Sequence, residues 1–421
     1  YKALWGEYVG ANGNSHSNTY GTNLAIGNFA GYAGGSTTGF GGSTYIGHSA
    51  GQGHVGGRSV HIGYEAGRYT ASGSQDVYVG FNAGKVAHLS GDPSGSHTNN
   101  GRGSLNVAIG YQALMHGGTT NVAVGHDAML YQSGSAKCVA IGYAALEGAP
   151  RDIQGVTAVG YGAAASLSDS LYHGQTLIGN AAGYSAGQNV VAVGSNSAYR
   201  IGYESTAIGT EALSRGKGTR NTAVGMSALR GLPYTLTSET DNSTGVSNVA
   251  VGHNAMLAYS SASFNTAVGM TSLYFIGDGE YSTAVGYQAG YYATGSNNTF
   301  VGADAGKGGT TSAPYSSGQY NTAVGKGAFT AFTTGRQNVA IGWEAATSLT
   351  TGYYSTLIGT KAGKSITTGN TNTFIGWQSG FAVTDTSNKT AIGYRAGYAD
   401  GGAMDVHIGY EAGRNVTAGD N

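Results

Sequence analysis

The chain has 421 residues, a formal net charge of −1 and only 10% charged residues, which leaves no basic face for nucleic acid. Glycine accounts for 76 residues, proline for 4 and tyrosine for 30, yet 40% of the chain is apolar, which sets it apart from disordered glycine-rich sequences. The one cysteine, Cys138, excludes an intrachain disulfide, and no apolar run of about eighteen residues forms a transmembrane helix. The chain starts at Tyr1 with no signal peptide in view, as expected of a processed or partial product.

The stretch VHIGYEAGR occurs at Val60–Arg68 and again at Val406–Arg414, and both are copies of one unit. Aligned on its Val/Ile–Gly pair, the unit recurs in chain order at Gly10, Gly27, Gly47, Gly63 and Gly80, then after an insertion at 85–105. It continues at Gly110, Gly125, Gly142, Gly160, Gly179, Gly194, Gly209 and Gly225, followed by a second insertion at 230–247. Gly252, Gly269, Gly286 and Gly302 lead to a third at 307–320, and Gly325, Gly342, Gly359, Gly376, Gly393 and Gly409 complete 23 copies spaced by about 17 residues. That period is too short for helical-hairpin repeats, and the motif favours β-branched residues around a glycine that would interrupt a helix. The spacing predicts an all-β chain, a single parallel β-solenoid over 1–421 with about 23 coils. At ~4.8 Å per coil the rod is roughly 110 Å long.

In this reading the Val or Ile before each glycine points inward. The expected core residues are Ile62, Ile109, Val124, Val224, Val268, Val285, Ile341, Ile375 and Ile408, so an aspartate at 268 or 285 is expected to destabilise the rod badly. A second pattern concerns the residue two before the glycine and the residue four after it. Where the first is large (Tyr45, His61, Tyr78, Leu177, Phe300, Leu357, Phe374, His407) the second is Gly, and where the second is large (Leu114, Met129, Leu146, Leu213, Leu229, Met256, Leu273, Phe329) the first is Ala. Shared volume in a close-packed interior imposes such a rule, and the contact lies within a coil or across a subunit interface. The asparagines that open many copies, among them Asn106, Asn121, Asn221, Asn248 and Asn265, either stack in register as a ladder or serve as turn residues. Pro93, Pro150, Pro233 and Pro314 all fall between motifs, as a strand ladder requires.

The repeat, well seen in NTAVGM at Asn221–Met226 and NVAIGYQAL at Asn106–Leu114, resembles the head repeats of YadA-like trimeric autotransporter adhesins and the NTAIGYQAL-type arrays of phage tail fibres. The resemblance spans Val9 to Gly413. It implies left-handed β-rolls in a parallel homotrimer with an adhesive role outside the cell, on a virion tail fibre or a bacterial surface. The repeat here is longer and more variable than in the adhesin heads. The left-handed helix of hexapeptide acyltransferases fits less well, because the hexapeptide appears once per copy rather than on three consecutive faces.

No catalytic constellation stands out, and the chain is read as no enzyme, with no cofactor and no metal site. Its 21 acidic residues are scattered, although a carboxylate pair assembled between subunits would suit a polysaccharide-degrading enzyme. A self-assembling extracellular filament is a further reading, from the likeness of the last coils to the early ones. Histidines His48, His126 and His253 follow the motif glycine in separate coils and read as structural. The receptor-binding candidates are aromatics at the same place: Tyr64, Tyr111, Tyr143, Tyr287, Trp343, Trp377, Tyr394 and Tyr410. Half-exposed rings suit sugars, and packing against the next coil or subunit is the competing role. The three insertions also offer binding loops on a rigid scaffold. The expected partners are two further copies of the chain and a host-cell surface glycan or protein.

Overall fold

The computed structural model describes residues 23–32, 41–54, 56–70, 73–86, 103–116, 118–131, 134–148, 153–167, 174–231, 243–309 and 315–416. The first motif copy, all four prolines and most of the three insertions lie outside the described residues. The chain divides into two compact units, Tyr1–Glu204 and Ser205–Asn421. Each is a parallel β-solenoid whose repeat is about 17 residues.

Every described motif copy forms a three-residue strand ending on the Val or Ile before the glycine. The first unit carries ten, from β1 (Leu24–Ile26) to β10 (Val191–Val193), and the second carries twelve, from β11 (Thr206–Ile208) to β22 (Val406–Ile408). Within each unit a strand pairs with the next in sequence, parallel and in register: Thr266, Ala267 and Val268 face Thr283, Ala284 and Val285. The three columns that result are Thr or Val (Leu24 in β1), then a variable middle residue, then Val or Ile.

The side chains alternate across such a strand, and the middle residue is the buried one. Ala284 is fully buried while Val285 is 38% exposed. This overturns the inward assignment of the residue before the glycine. Ile109, Val268, Val285, Ile341 and Ile408 are exposed, and Ile62, Val124, Val224 and Ile375 are half-buried. The physical reason is that a strand of three has two residues on one face. The two β-branched residues stabilise the strand from outside, and a thin core admits alanine in the middle.

The core of one coil is built from a few recurring positions. The middle strand residue meets the residue four beyond the glycine, as the volume pattern predicts, and the contact is inside a single coil. A Cβ on Gly306 would lie 2.1 Å from the Phe300 ring, and one on Gly380 2.5 Å from Phe374. In the opposite class Leu273 and Phe329 are fully buried beside Ala267 and Ala323. A third inward position, seven after the glycine, holds Ile276, Phe332, Leu349 and Ile366, all fully buried. The motif glycine itself is required by its backbone: Gly286 has φ +138°, and a Cβ there would stand 2.5 Å from the carbonyl oxygen of Gly302.

The asparagine ladder is present. Asn248 N donates to Asn221 Oδ1 at 2.9 Å, and Asn265 N to Asn248 Oδ1 at 3.0 Å. Each side-chain amide also donates onward to a carbonyl, Asn248 Nδ2 to Ala262 O at 2.8 Å and Asn265 Nδ2 to Gly279 O at 2.8 Å. These amides are buried, so the bonds satisfy groups that would otherwise carry a full desolvation penalty.

Candidate functional site

The strand alternation gives each unit an outer face of two columns. In the second unit these run from Thr206 and Ile208 to Val406 and Ile408, and in the first from Leu24 and Ile26 to Val191 and Val193. Every residue in them is Thr, Val, Ile or Leu, with no charge anywhere. Among the described residues nothing packs over this face, and many of its side chains are over a third exposed, including Ile141, Ile208 and Val251.

The residue after the motif glycine makes a further column. In the first unit it stacks ring on ring through His48, Tyr64, Phe81, Tyr111, His126, Tyr143 and Tyr161, with successive centroids 4.6–5.2 Å apart. In the second unit Trp377, Tyr394 and Tyr410 stack at 4.8 and 5.0 Å. Lys361 Nζ sits 4.5 Å over Trp343, and the Arg395 guanidinium 4.9 Å over Trp377. Tyr287 is half exposed. The structure therefore brings Tyr64, Tyr111 and Tyr143 into one column, Trp377, Tyr394 and Tyr410 into another, and leaves Trp343 and Tyr287 in separate coils. Stacking covers the ring faces and leaves edges and hydroxyls to solvent. A sugar ring needs a free aromatic face, which the interior of these columns does not offer. His48 and His126 are members of the ring column.

Two groups of ionisable side chains inside the cores escape sequence reasoning. The first is a histidine pair in the first unit. His61 lies between the rings of Tyr45 and Tyr78, with centroids 5.4 and 4.9 Å away, and 4.7 Å from the ring of His54. Among the described residues neither ring nitrogen of His61 has a hydrogen-bond partner, whereas His54 Nδ1 is 3.1 Å from Thr70 O. Burial pushes His54 down to about 4, and burial together with His54 holds His61 well below the usual imidazole range. Nearby, burial pushes the Asp76 carboxyl up to about 6.

The signs of these shifts oppose one another. The unfolded chain takes up protons on the histidines from pH 6.5 downward, and folded His54 does so only near 4. Their stabilisation is complete above pH 6.5 and drains away through that window. Asp76 acts the other way between about 6 and 3.8, where the folded state holds the extra proton. Two histidines outweigh one carboxyl, so the first unit is expected to melt at a lower temperature as the pH falls from 6.5 towards 4. Thermal melting across that range checks this. His61→Leu should flatten the dependence, because Leu177 and Leu357 already fill the same place opposite Gly183 and Gly363.

The second group lies in the last described coils of the second unit. Lys389 occupies the ladder position of the opening asparagines, and its Nζ donates to Asp400 O at 2.8 Å. The same ammonium is 2.6 Å from Asp400 Oδ2 and 3.8 Å from Asp405 Oδ2. His407 Nε2 lies 2.6 Å from Asp400 Oδ2. Asp400, Asp405 and His407 have ligand atoms within 4.8 Å of one another, a donor set that suits a divalent ion. Lys389, however, already places a cation among them. Burial alone would raise the Asp400 carboxyl, and Lys389, the Gly402 amide and His407 together hold it below the usual carboxylate range. The signal available in the sequence was Lys389 itself, a lysine at a position where the preceding copies carry Asn372 and Ser355 and the next one carries Asp405.

No family model matches the chain, and no curated protein matches it.

Proposed function

We propose that this chain is a structural and adhesive fibre module that works outside the cell as a parallel homotrimer, with its inserted loops and exposed column edges turned towards a cell-surface glycan or protein. The observation that carries this reading is the uncharged β-branched outer face. A face of this length without a charged residue is not a normal solvent surface. A second copy of the same chain matches its rise coil for coil, and parallel symmetry sets identical residues at one level. Each coil has a thin core of alanine and one or two larger residues, so association along the face adds apolar burial that the coil alone lacks. Three chains rather than two follow from the likeness of the repeat to trimeric adhesin heads. The ring column flanks the same face, which gives the tyrosine hydroxyls a place near the rim of the contact.

Light scattering tests the assembly. The parent is expected near three times 42.4 kDa. The triple variant Val224→Lys, Val268→Lys, Ile341→Lys is expected near one times that mass with an unchanged circular dichroism spectrum, because these positions face outward. A monomeric parent overturns the proposal, and very large species replace it with an open filament. Screening the trimer against immobilised surface glycans then tests adhesion.

A further inference from the structure

We propose that Lys389 and Asp400 join spontaneously in an intramolecular isopeptide bond, an amide between Lys389 Nζ and Asp400 Cγ. The inference does not depend on oligomeric state or on adhesion.

The four groups around this pair stand where the reaction needs them. Lys389 and Asp400 are both completely buried, so water neither solvates the amine nor competes with it. The nucleophile is held by Asp400 O, which accepts from Nζ at 2.8 Å, with the acceptor carboxyl 2.6 Å away. Gly402 N donates to Asp400 Oδ1 at 2.9 Å, which places a backbone N–H on the oxygen that gathers negative charge when the amine adds. His407 Nε2 lies 2.6 Å from the other oxygen, Oδ2, where a proton is needed to release it. Asp405 Oδ2, 3.8 Å from Nζ, is the base for the amine.

The step balances without any co-reactant. Asp405 takes a proton from the ammonium, Nζ attacks Cγ, and the charge on Oδ1 rests on the Gly402 N–H. His407 takes the second proton from the nitrogen and delivers it to Oδ2, Asp405 gives the first proton to the same oxygen, and the Cγ–Oδ2 bond breaks as Oδ1 closes to the amide carbonyl. One C–N bond forms, one C–O bond breaks, and the two protons lost by nitrogen leave with Oδ2 as one water. Nothing is oxidised or reduced.

The ladder does not require this chemistry. Asn338 and Asn372 satisfy the same rung with a neutral amide, each donating to a carbonyl at 2.8 Å. The place of Asp400, seven after its glycine, holds Ile276, Leu349 and Ile366 in other coils, and the place of His407 holds Ala or Phe in most neighbours. Three inward positions change to ionisable groups together. A buried ion pair gives little stability over apolar packing, so stability alone does not account for the set. A covalent bond would tie two successive coils and close the segment between Lys389 and Asp400.

The test is the intact mass of the purified full-length chain. The expected value is one water below the sequence mass, with tandem spectra giving a branched peptide that joins Lys389 to Asp400. Lys389→Met is expected to show the full sequence mass. Asp405→Asn, which keeps the lysine and its acyl partner, is expected to lose the water roughly a hundredfold more slowly. A parent at the full sequence mass overturns the proposal. So does a water loss that persists in Lys389→Met, since that marks a cyclic imide between Asp400 and the nitrogen of Gly401.

Discussion

Ala284→Asp is expected to remove about 4 kcal/mol or more from the stability of the second unit, enough to unfold the coils around it. Its neighbour Val285→Asp is expected to change the same urea midpoint by under about 1 kcal/mol. The two substitutions put the same charge one residue apart on one strand. The difference is the side of the sheet: the Ala284 side chain is fully buried and that of Val285 is not. Beside Ala284 stand Ala267 and Phe300, each also fully buried, and neither pairs with a carboxylate. Equal losses at 284 and 285 would show that the strand faces are assigned wrongly. Val285→Asp should act instead on the oligomer, by placing a charge on the uncharged outer face.

The second large effect is expected at Phe300. Phe300→Ala leaves a cavity in the coil core and should cost about 3–5 kcal/mol. Gly306→Leu alone should also destabilise, by about 1–3 kcal/mol or more, because the space beyond Gly306 is filled by the Phe300 ring. Together the two changes recreate the Ala–Leu pairing of Ala267 with Leu273, and Gly306 already has φ +54° against +46° for Leu273. The double variant is expected to recover most of the loss, so the singles should be strongly non-additive in a double-mutant cycle read by denaturant unfolding. Additive losses would mean that the two positions do not share one volume.

Much of the fold is legible in the sequence because its constraints act at fixed spacing within one coil. The exchange of bulk between 300 and 306 or between 267 and 273 acts inside one coil, and the glycine that tolerates no Cβ and the asparagines of the ladder follow from neighbours one repeat away. The inward side of the strand is not legible in the same way. Hydrophobicity marks Val285 more strongly than Ala284, yet a coil this thin buries the smaller residue and leaves the β-branched one outside. The ring columns were visible as a list of aromatics, but the stacking that covers their faces follows from the ladder register. Lys389 and Asp405 share the ladder position of successive coils, while Asp400 and His407 come from two other positions of the repeat, so no local motif announces that they meet.

The register of the strands also sets the order in which the chain can fold. Within each unit every strand after the first pairs with one that lies 15–30 residues earlier, as Val191 does with Thr176 and Val107 with Val77. Loops of this length close quickly, and contacts this local place the chain among fast-folding topologies despite its all-parallel sheets. A chain that emerges amino end first always finds the preceding coil already built as its template. Each new coil then needs to add only its own glycine turn, its ladder residue and its few core residues before the next begins, so folding can advance as a moving front with little unpaired edge exposed at any moment.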